Sequence, residues 1–156
     1  MHFSTAAEEA IALADLVFIS VHTPTKTKWL GAGQASYLEW VKASARTLSK
    51  SAQGHTIVVE KSTLPARTAE VIQQILASAE GGKNFSVLSN PEFLAEGTAI
   101  YGLENPDRVL ISGEDPTGIQ ALAGIYAVWM LDERIPRTNL RSSEFTVNAL
   151  FAQRIS

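Results

Sequence analysis

The sequence of 156 residues contains no cysteine. Its own residues can therefore form no disulfide, no thiolate metal site and no thiol nucleophile. The basic residues do not cluster, and 13 Lys and Arg stand against 16 Asp and Glu, which argues against a surface for nucleic acid or an anionic membrane. No apolar run is long enough to span a bilayer, and the three histidines, His2, His22 and His55, lack metal-ligand spacing. These absences leave a small molecule as the favoured partner.

The composition is that of one globular domain. With 46% hydrophobic and 19% charged residues, a chain of this length can bury a core of its own. The first ten residues include Glu8 and Glu9 and lack the basic segment and apolar core of a signal peptide. We therefore expect a single domain in the cytoplasm.

Apolar runs alternate with helical patterns along the chain. Strands are predicted at 16–21, 56–60, 85–89 and 108–112, with a short one over 134–138. A capping box at Thr5 and Glu8 predicts a first helix over 6–14. A second helix has a core face marked by Tyr37, Val41, Ala45 and Leu48, with Tyr37 and Trp40 as packing residues. This alternation predicts an α/β fold with a doubly wound parallel sheet.

Two further helices are predicted from proline near their first turns. Leu64 and Pro65 open one of them, with Thr63 as its cap. Asp115 and Pro116 begin the other, whose apolar face is predicted to be core and consists of Ile119, Leu122, Tyr126, Trp129 and Met130. A last helix is predicted to follow a cap at Ser142 or Ser143.

A carboxylate loop follows the strand at 85–89. Glu92 and Glu96 are four residues apart, so on a helical turn both carboxylates face the same side. Asn90 can cap that turn and Pro91 fits its first position. Ligands of doubly wound folds gather beyond the carboxyl ends of the strands, so the loop is a candidate active site. A purely structural interpretation stays open, because an acidic residue near a helix N-terminus also complements the helix dipole.

Hydroxyl-rich segments follow the other two parallel strands. His22, Thr23, Pro24 and Thr25 form a loop after the strand at 16–21, and Thr63 follows the strand at 56–60. Both segments can bind a ligand or simply complete a turn or a helix cap.

These motifs resemble those of the UDP-glucose 6-dehydrogenases, in the UDP-glucose/GDP-mannose dehydrogenase family. The resemblance rests on SNPEFLAEGTAI at 89–100, on ADLVFISV and TPTKT at 14–27, and on NPDRVLISG at 105–113, and it runs from Phe3 to Ser156. It implies NAD as the cofactor, UDP-glucose as the substrate and a homo-oligomer for the complete enzyme. The implied reaction oxidises the C6 alcohol to a carboxylate, giving UDP-glucuronate, by two hydride transfers through a thioester.

Site residues follow from the resemblance position by position. Glu92 matches the acid/base glutamate, and Thr63 the threonine that helps to hold the catalytic water. The positions that line NAD are Val21, His22, Thr23, Pro24, Thr25, Ser62, Thr63, Leu64 and Glu96. The positions that bind the sugar nucleotide are Glu92, Phe93, Leu94, Ala95, Glu96 and Asn148. His22 departs from the family, which commonly has asparagine or a small residue there.

Several parts of the family pattern are missing. No G-x-G-x-x-G follows a first strand, no cysteine is present, and no lysine occurs after Lys83. The sequence is therefore interpreted as an internal fragment, a partial Rossmann-like sheet that lacks its first βαβ unit. Residues 1–140 are expected to be the second half of the NAD-binding domain. Residues 141–156 are expected to begin the helix that leads to the central dimerisation and substrate domain.

The family has a catalytic lysine four residues before the asparagine that Asn148 matches, and in the last predicted helix here that position is Glu144. Aligning 152–156 with the family requires a deletion of about three residues, which in an α-helix shifts the register by roughly 60°. The catalytic cysteine and lysine thus have no counterpart, and the chain alone is expected to be inactive. Two alternatives remain open: a non-catalytic remnant that binds a partner through its exposed sheet edge, and a different α/β enzyme that uses Glu92 and Glu96 as a carboxylate pair.

Overall fold

The computed structural model describes residues 2–21, 38–62, 68–79, 84–91, 101, 104, 106 and 108–140. Within these ranges the strands are β1 (Leu16–Ile19), β2 (His55–Glu60), β3 (Asn84–Ser89), β4 (Ile111–Ser112) and β5 (Arg137–Thr138). The helices are α1 (Ala7–Ala12), α2 (Glu39–Ser51), α3 (Thr68–Ala77) and α4 (Pro116–Tyr126), with a 3-10 turn at Asp132–Arg134. None of these helices combines the length and the apolarity that crossing a membrane requires.

The five strands form one sheet in the order β1-β2-β3-β4-β5. β1, β2 and β3 are mutually parallel, and β4 and β5 are parallel to each other. β4 pairs with β3 in the antiparallel direction, with Ser89 opposite Ser112. The sheet is thus mixed and not wholly parallel as predicted, because the chain enters β4 at the end of the sheet where β3 finishes. Apolar patterning could not show this direction, since it reports burial alone.

Helices cover both faces of the sheet, as the doubly wound prediction requires. Side chains of a strand alternate between faces, and β2 directs Val58 to one core and Val59 to the other. The first core joins β1, β2 and β3 to α2 and α3 through Ile19, Val41, Leu48, Ile72, Leu76 and Val87. The second joins β2, β3 and β4 to α4 through Ile57, Leu88, Ile111, Leu122 and Tyr126.

Helix starts were predicted with mixed success. Asp115 caps α4 as predicted, because its carboxylate accepts the backbone N–H groups of Thr117 and Gly118 at 3.0 Å each. The predicted capping box of α1 is wrong. The cap position is Ala6, which has no side-chain cap bond, and its N–H donates to Ser4 Oγ at 3.0 Å. The predicted cap Thr63 lies outside the described residues.

Two tryptophans are more exposed than predicted. Trp129, assigned to the core face of α4, is 49% exposed, because α4 ends at Tyr126 and the following turn takes Trp129 out of the helical register. It retains an edge-to-face contact with the Tyr126 ring, with centroids 5.4 Å apart. Trp40, predicted to pack, is 59% exposed at the start of α2. Tyr37 lies outside the described residues.

Candidate functional site

The carboxyl ends of β1, β2 and β3 lie along one edge of the sheet because these strands are parallel. Val21 follows β1 there, and Ser62 follows β2. The Val21 N–H donates to Ser62 Oγ at 3.3 Å, and the Ser62 hydroxyl donates to the Val21 carbonyl at 3.2 Å. Two residues predicted to line the cofactor, 41 positions apart in sequence, are thus in direct contact.

The remaining predicted site residues lie outside the described part of the chain. They are His22, Thr23, Pro24, Thr25, Thr63, Leu64, Glu92, Phe93, Leu94, Ala95, Glu96 and Asn148. Their roles therefore stay predictions. What the structure describes is the framework on which three of these segments begin: the ends of β1, β2 and β3.

A buried carboxyl group lies at the end of β2. Glu60 is only 4% exposed, and its Oε2 accepts the Ser89 hydroxyl at 3.3 Å. Its Oε1 is buried and has no hydrogen-bond partner among the described residues. Burial raises the pKa of Glu60 to about 8, against the opposing effects of the Ser89 hydroxyl, the Ser62 backbone amide and the Lys61 charge. The group is therefore a neutral carboxylic acid over most of the range from weakly acidic to neutral pH.

Glu60 was predicted as a strand residue and not as part of a site. The signal was present in the sequence, because Glu60 ends a strand that is apolar on both faces. Such a strand is covered on both sides, so a carboxylate within it must be buried unless the strand ends one residue earlier. Sequence alone leaves that boundary open, which is why the buried acid was missed.

Asn90 makes side-chain contacts that the sequence did not predict. The residue is fully buried after β3, and its side-chain amide donates to the Leu110 carbonyl at 2.8 Å. Its Oδ1 accepts the Tyr126 hydroxyl at 2.5 Å. These contacts tie the end of β3 to the segment before β4 and to the end of α4, whereas the turn that Asn90 was predicted to cap lies outside the described residues.

A second polar chain lies at the opposite, amino-terminal side of β2 and β3. Ser86 donates to Asp115 Oδ2 at 2.5 Å and lies 2.9 Å from Nε2 of His55. Since the serine proton goes to Asp115, Nε2 of His55 is the donor to Ser86. The serine thus donates to Asp115 and accepts from His55, which is the reverse of the hydrogen bond that a histidine base makes with a nucleophilic serine. The Ser86 hydrogen bond is also the main reason why the pKa of Asp115 is lowered, and the chain fastens the start of α4 to β3.

The described polar groups at the carboxyl edge differ in how far a cofactor could reach them. The Ser62 hydroxyl is half-buried beside Val21, and it already bonds to the Val21 backbone. Glu60 Oε1 has no partner among the described residues, but it is fully enclosed. No group of three potential metal-ligating side chains occurs within the described ranges.

Comparisons with known proteins agree with this geometry. Residues 1–130 match the NAD binding domain model of the UDP-glucose/GDP-mannose dehydrogenase family. The whole chain is 51% identical to UDP-glucose 6-dehydrogenase 5 of Oryza sativa subsp. japonica and 52% identical to UDP-glucose 6-dehydrogenase of Bos taurus. It spans only 34% and 33% of these relatives.

The fold matches a solved structure from the same family. A UDP-glucose dehydrogenase from the hyperthermophilic archaeon Pyrobaculum islandicum superposes with a TM-score of 0.81 at 34% identity, over 94% of this chain and 33% of that one. The family model covers most of the chain, and about half of the residues over the whole chain are identical to those of the rice and cattle relatives. The chain therefore belongs to the UDP-glucose/GDP-mannose dehydrogenase family, and its residues 1–130 to the NAD-binding domain of that family.

Proposed function

We propose that this chain provides cofactor-binding and substrate-binding residues of an enzyme that oxidises the C6 alcohol of UDP-glucose to a carboxylate with NAD. The observation that supports this most directly is the pair of hydrogen bonds between Val21 and Ser62. These bonds join the first two segments assigned to the cofactor at the edge where α/β folds bind ligands. The similar rice and cattle proteins are named as UDP-glucose 6-dehydrogenases.

The proposed roles divide between cofactor and sugar nucleotide. The segments 21–25 and 62–64 line NAD, which accepts hydride from the substrate carbon. Glu92 serves as the acid/base group, and Thr63 helps to hold the water that hydrolyses the thioester. The segment 92–96 and Asn148 contact the sugar nucleotide. The carboxylate of Glu92 suits this role because general acid/base catalysis needs a titratable group within hydrogen-bond reach of the moving proton.

The purified 156-residue chain is expected to produce no NADH from NAD and UDP-glucose. The second hydride transfer passes through a thioester, which requires a thiol, and the sequence contains no cysteine. The lysine that would stabilise the alkoxide also has no counterpart, since the last lysine is Lys83. The measurement is the absorbance of NADH over time, and turnover by the purified chain would contradict this expectation.

Calorimetric titration of the purified chain with NAD and then with UDP-glucose tests the binding roles without needing the missing nucleophile. Both ligands are expected to bind, and Glu92→Gln is expected to weaken UDP-glucose about tenfold while leaving NAD unchanged, because a charged hydrogen bond is lost. Glu114→Gln is the matched control, since Glu114 is an exposed residue beyond β4. UDP without the sugar serves as the control ligand.

The outcomes separate the proposal from its alternatives. A folded chain that binds neither ligand would contradict the assignment of these loops to the site. Equal weakening of UDP and UDP-glucose by Glu92→Gln would place Glu92 near the diphosphate and away from the reacting carbon. Either result would overturn the role proposed for Glu92.

A second candidate function, binding of a partner, is favoured by the edge of the sheet at β1. Among the described strands β1 pairs only with β2. Beside it lies a groove of about 820 Å³ whose lining is mainly apolar and includes Ile11, Val17, Phe18, Trp40 and Leu48. Phe18 is 42% exposed, and the edge carries no charged residue over Leu16–Ile19. An uncharged, apolar strand edge is a template for pairing with another chain.

The chain is expected to associate with itself as its concentration rises, and Phe18→Lys is expected to shift it toward monomer. A lysine on an edge strand opposes pairing because its charge would be buried. Sedimentation velocity at several concentrations measures the effect. Phe3→Lys is the matched control, since Phe3 is exposed and does not line the groove. A monomer at every concentration in the parent chain would count against this candidate.

A further inference from the structure

Asn90 is held from three directions at the point where the chain leaves β3. Its backbone N–H donates to the Glu60 carbonyl at 2.8 Å. Its side-chain amide donates to the Leu110 carbonyl at 2.8 Å, and its Oδ1 accepts the Tyr126 hydroxyl at 2.5 Å. The residue has no exposed surface. Three elements, β2, the segment before β4, and α4, therefore meet at one residue.

These contacts demand an amide at this position. The Leu110 carbonyl needs a donor, and the Tyr126 hydroxyl needs an acceptor, so both ends of the Asn90 side chain are used. A carboxylate would have no proton for the carbonyl, and an apolar side chain would leave two buried polar groups without partners, which is costly. The contacts thus impose a single orientation on Asn90.

The neighbouring residue is held on the other face of the sheet. Ser89 and Asn90 are consecutive, so their side chains project to opposite faces. Ser89 donates to the buried Glu60 carboxyl group on the side of α2 and α3, whereas Asn90 bonds to Tyr126 on the side of α4. The chain is therefore fastened on both faces immediately before Pro91.

Glu92 lies only two residues beyond Asn90 in the sequence. Two residues of extended chain reach about 7 Å at most, so the orientation of Asn90 limits where the Glu92 backbone can lie. We propose that Asn90 and Tyr126 are positioning residues, through which α4 sets the placement of the Glu92 loop for its work on the sugar nucleotide. This inference rests on the proposed function for the role of Glu92.

The variant Tyr126→Phe tests the inference with little damage to packing, because it removes the hydroxyl and keeps the ring in the core. Amide hydrogen exchange of the purified chain is measured by NMR. The Asn90 amide is expected to exchange about tenfold faster in the variant, since one anchoring hydrogen bond is lost and local opening becomes easier. The amides of Val58 and Val87, inside β2 and β3, are expected to keep their rates.

A second signal separates positioning from general stability. In protein labelled at the glutamate side-chain carbons, the Glu92 carboxyl resonance, assigned with Glu92→Gln, is expected to shift or broaden in Tyr126→Phe. The Glu114 resonance should not change. Thr56→Val is the matched control, because it removes a buried hydroxyl that has no partner among the described residues and lies at the far end of β2. It is expected to leave both the Asn90 amide and the Glu92 resonance unchanged.

Two results would overturn the inference. One is that the exchange rate of the Asn90 amide and the Glu92 carboxyl resonance are the same in Tyr126→Phe as in the parent chain. The other is an equal acceleration of all core amides, which would mean that Tyr126 supports the core in general. If the parent chain does not bind UDP-glucose in calorimetry, that result counts against the proposed function. The NMR comparison of the parent chain with Tyr126→Phe remains valid. If the parent chain binds UDP-glucose but the Asn90 and Glu92 signals are the same in Tyr126→Phe, the positioning role is contradicted and the proposed function is not.

Discussion

Replacing Glu60 with glutamine is expected to make the protein more stable than the parent chain at pH 8 and to remove a fall in stability between about pH 5 and pH 8. Burial raises the pKa of Glu60 from 4.5 to about 8. In the unfolded chain the carboxyl ionises near its ordinary value, so over this window the folded state binds more protons. The free energy of unfolding then decreases as the pH rises, by up to ~1.4 kcal/mol per pH unit.

Glutamine removes this titration because its amide stays neutral, and its oxygen can still accept the Ser89 hydroxyl. Urea unfolding of both proteins at several pH values measures the effect. Below about pH 4 the advantage of Glu60→Gln should disappear, since Glu60 is then mostly protonated in both the folded and the unfolded state. Glu8→Gln is the control, because Glu8 is exposed on α1. Parallel stability curves for the parent and Glu60→Gln would contradict the buried neutral acid.

Truncation of Leu122 to alanine is expected to reduce the free energy of unfolding by about 3 kcal/mol. Leu122 is fully buried in the middle of α4. It belongs to the core that includes Val59, Leu88 and Ile111 from three strands. Loss of its branched side chain removes apolar burial and leaves a cavity in a closely packed interior.

Leu131→Ala is the matched control for this truncation. Leu131 is 63% exposed just beyond α4, so the same chemical change there is expected to alter stability by less than about 0.5 kcal/mol. Urea unfolding followed by circular dichroism provides both values. Similar losses for the two variants would mean that α4 is not held to the sheet through Leu122.

Much of the fold could be predicted from the periodicity of apolar residues. The predicted strands at 16–21, 56–60 and 85–89 appear as β1, β2 and β3, each within two residues at either end. Asp115 and Pro116 correctly marked the start of α4. The predicted strand at 108–112 is shortened to Ile111–Ser112, although the Val109 N–H still donates to the Arg134 carbonyl at 2.9 Å.

The candidate site could be predicted only in part. The chain order predicts polar segments after successive parallel strands, whereas Val21 and Ser62 were assigned to the cofactor through the family resemblance. It could not reveal that Glu60 is buried with an oxygen that has no partner in the described part of the chain, or that Asn90 bonds to Tyr126, 36 residues away. Such contacts depend on where the helices lie on the two faces of the sheet, and no local pattern encodes those positions.

By itself the sequence determined the α/β class, the strands of the parallel core and the absence of a thiol, because these follow from residue type and local spacing. Only the tertiary structure decided the direction of β4, the neutral state of Glu60 and the anchoring of Asn90. Direction, burial and hydrogen-bond partners arise when segments distant in sequence exclude water from one another. The same composition arranged otherwise would have left Glu60 an ordinary, ionised surface acid.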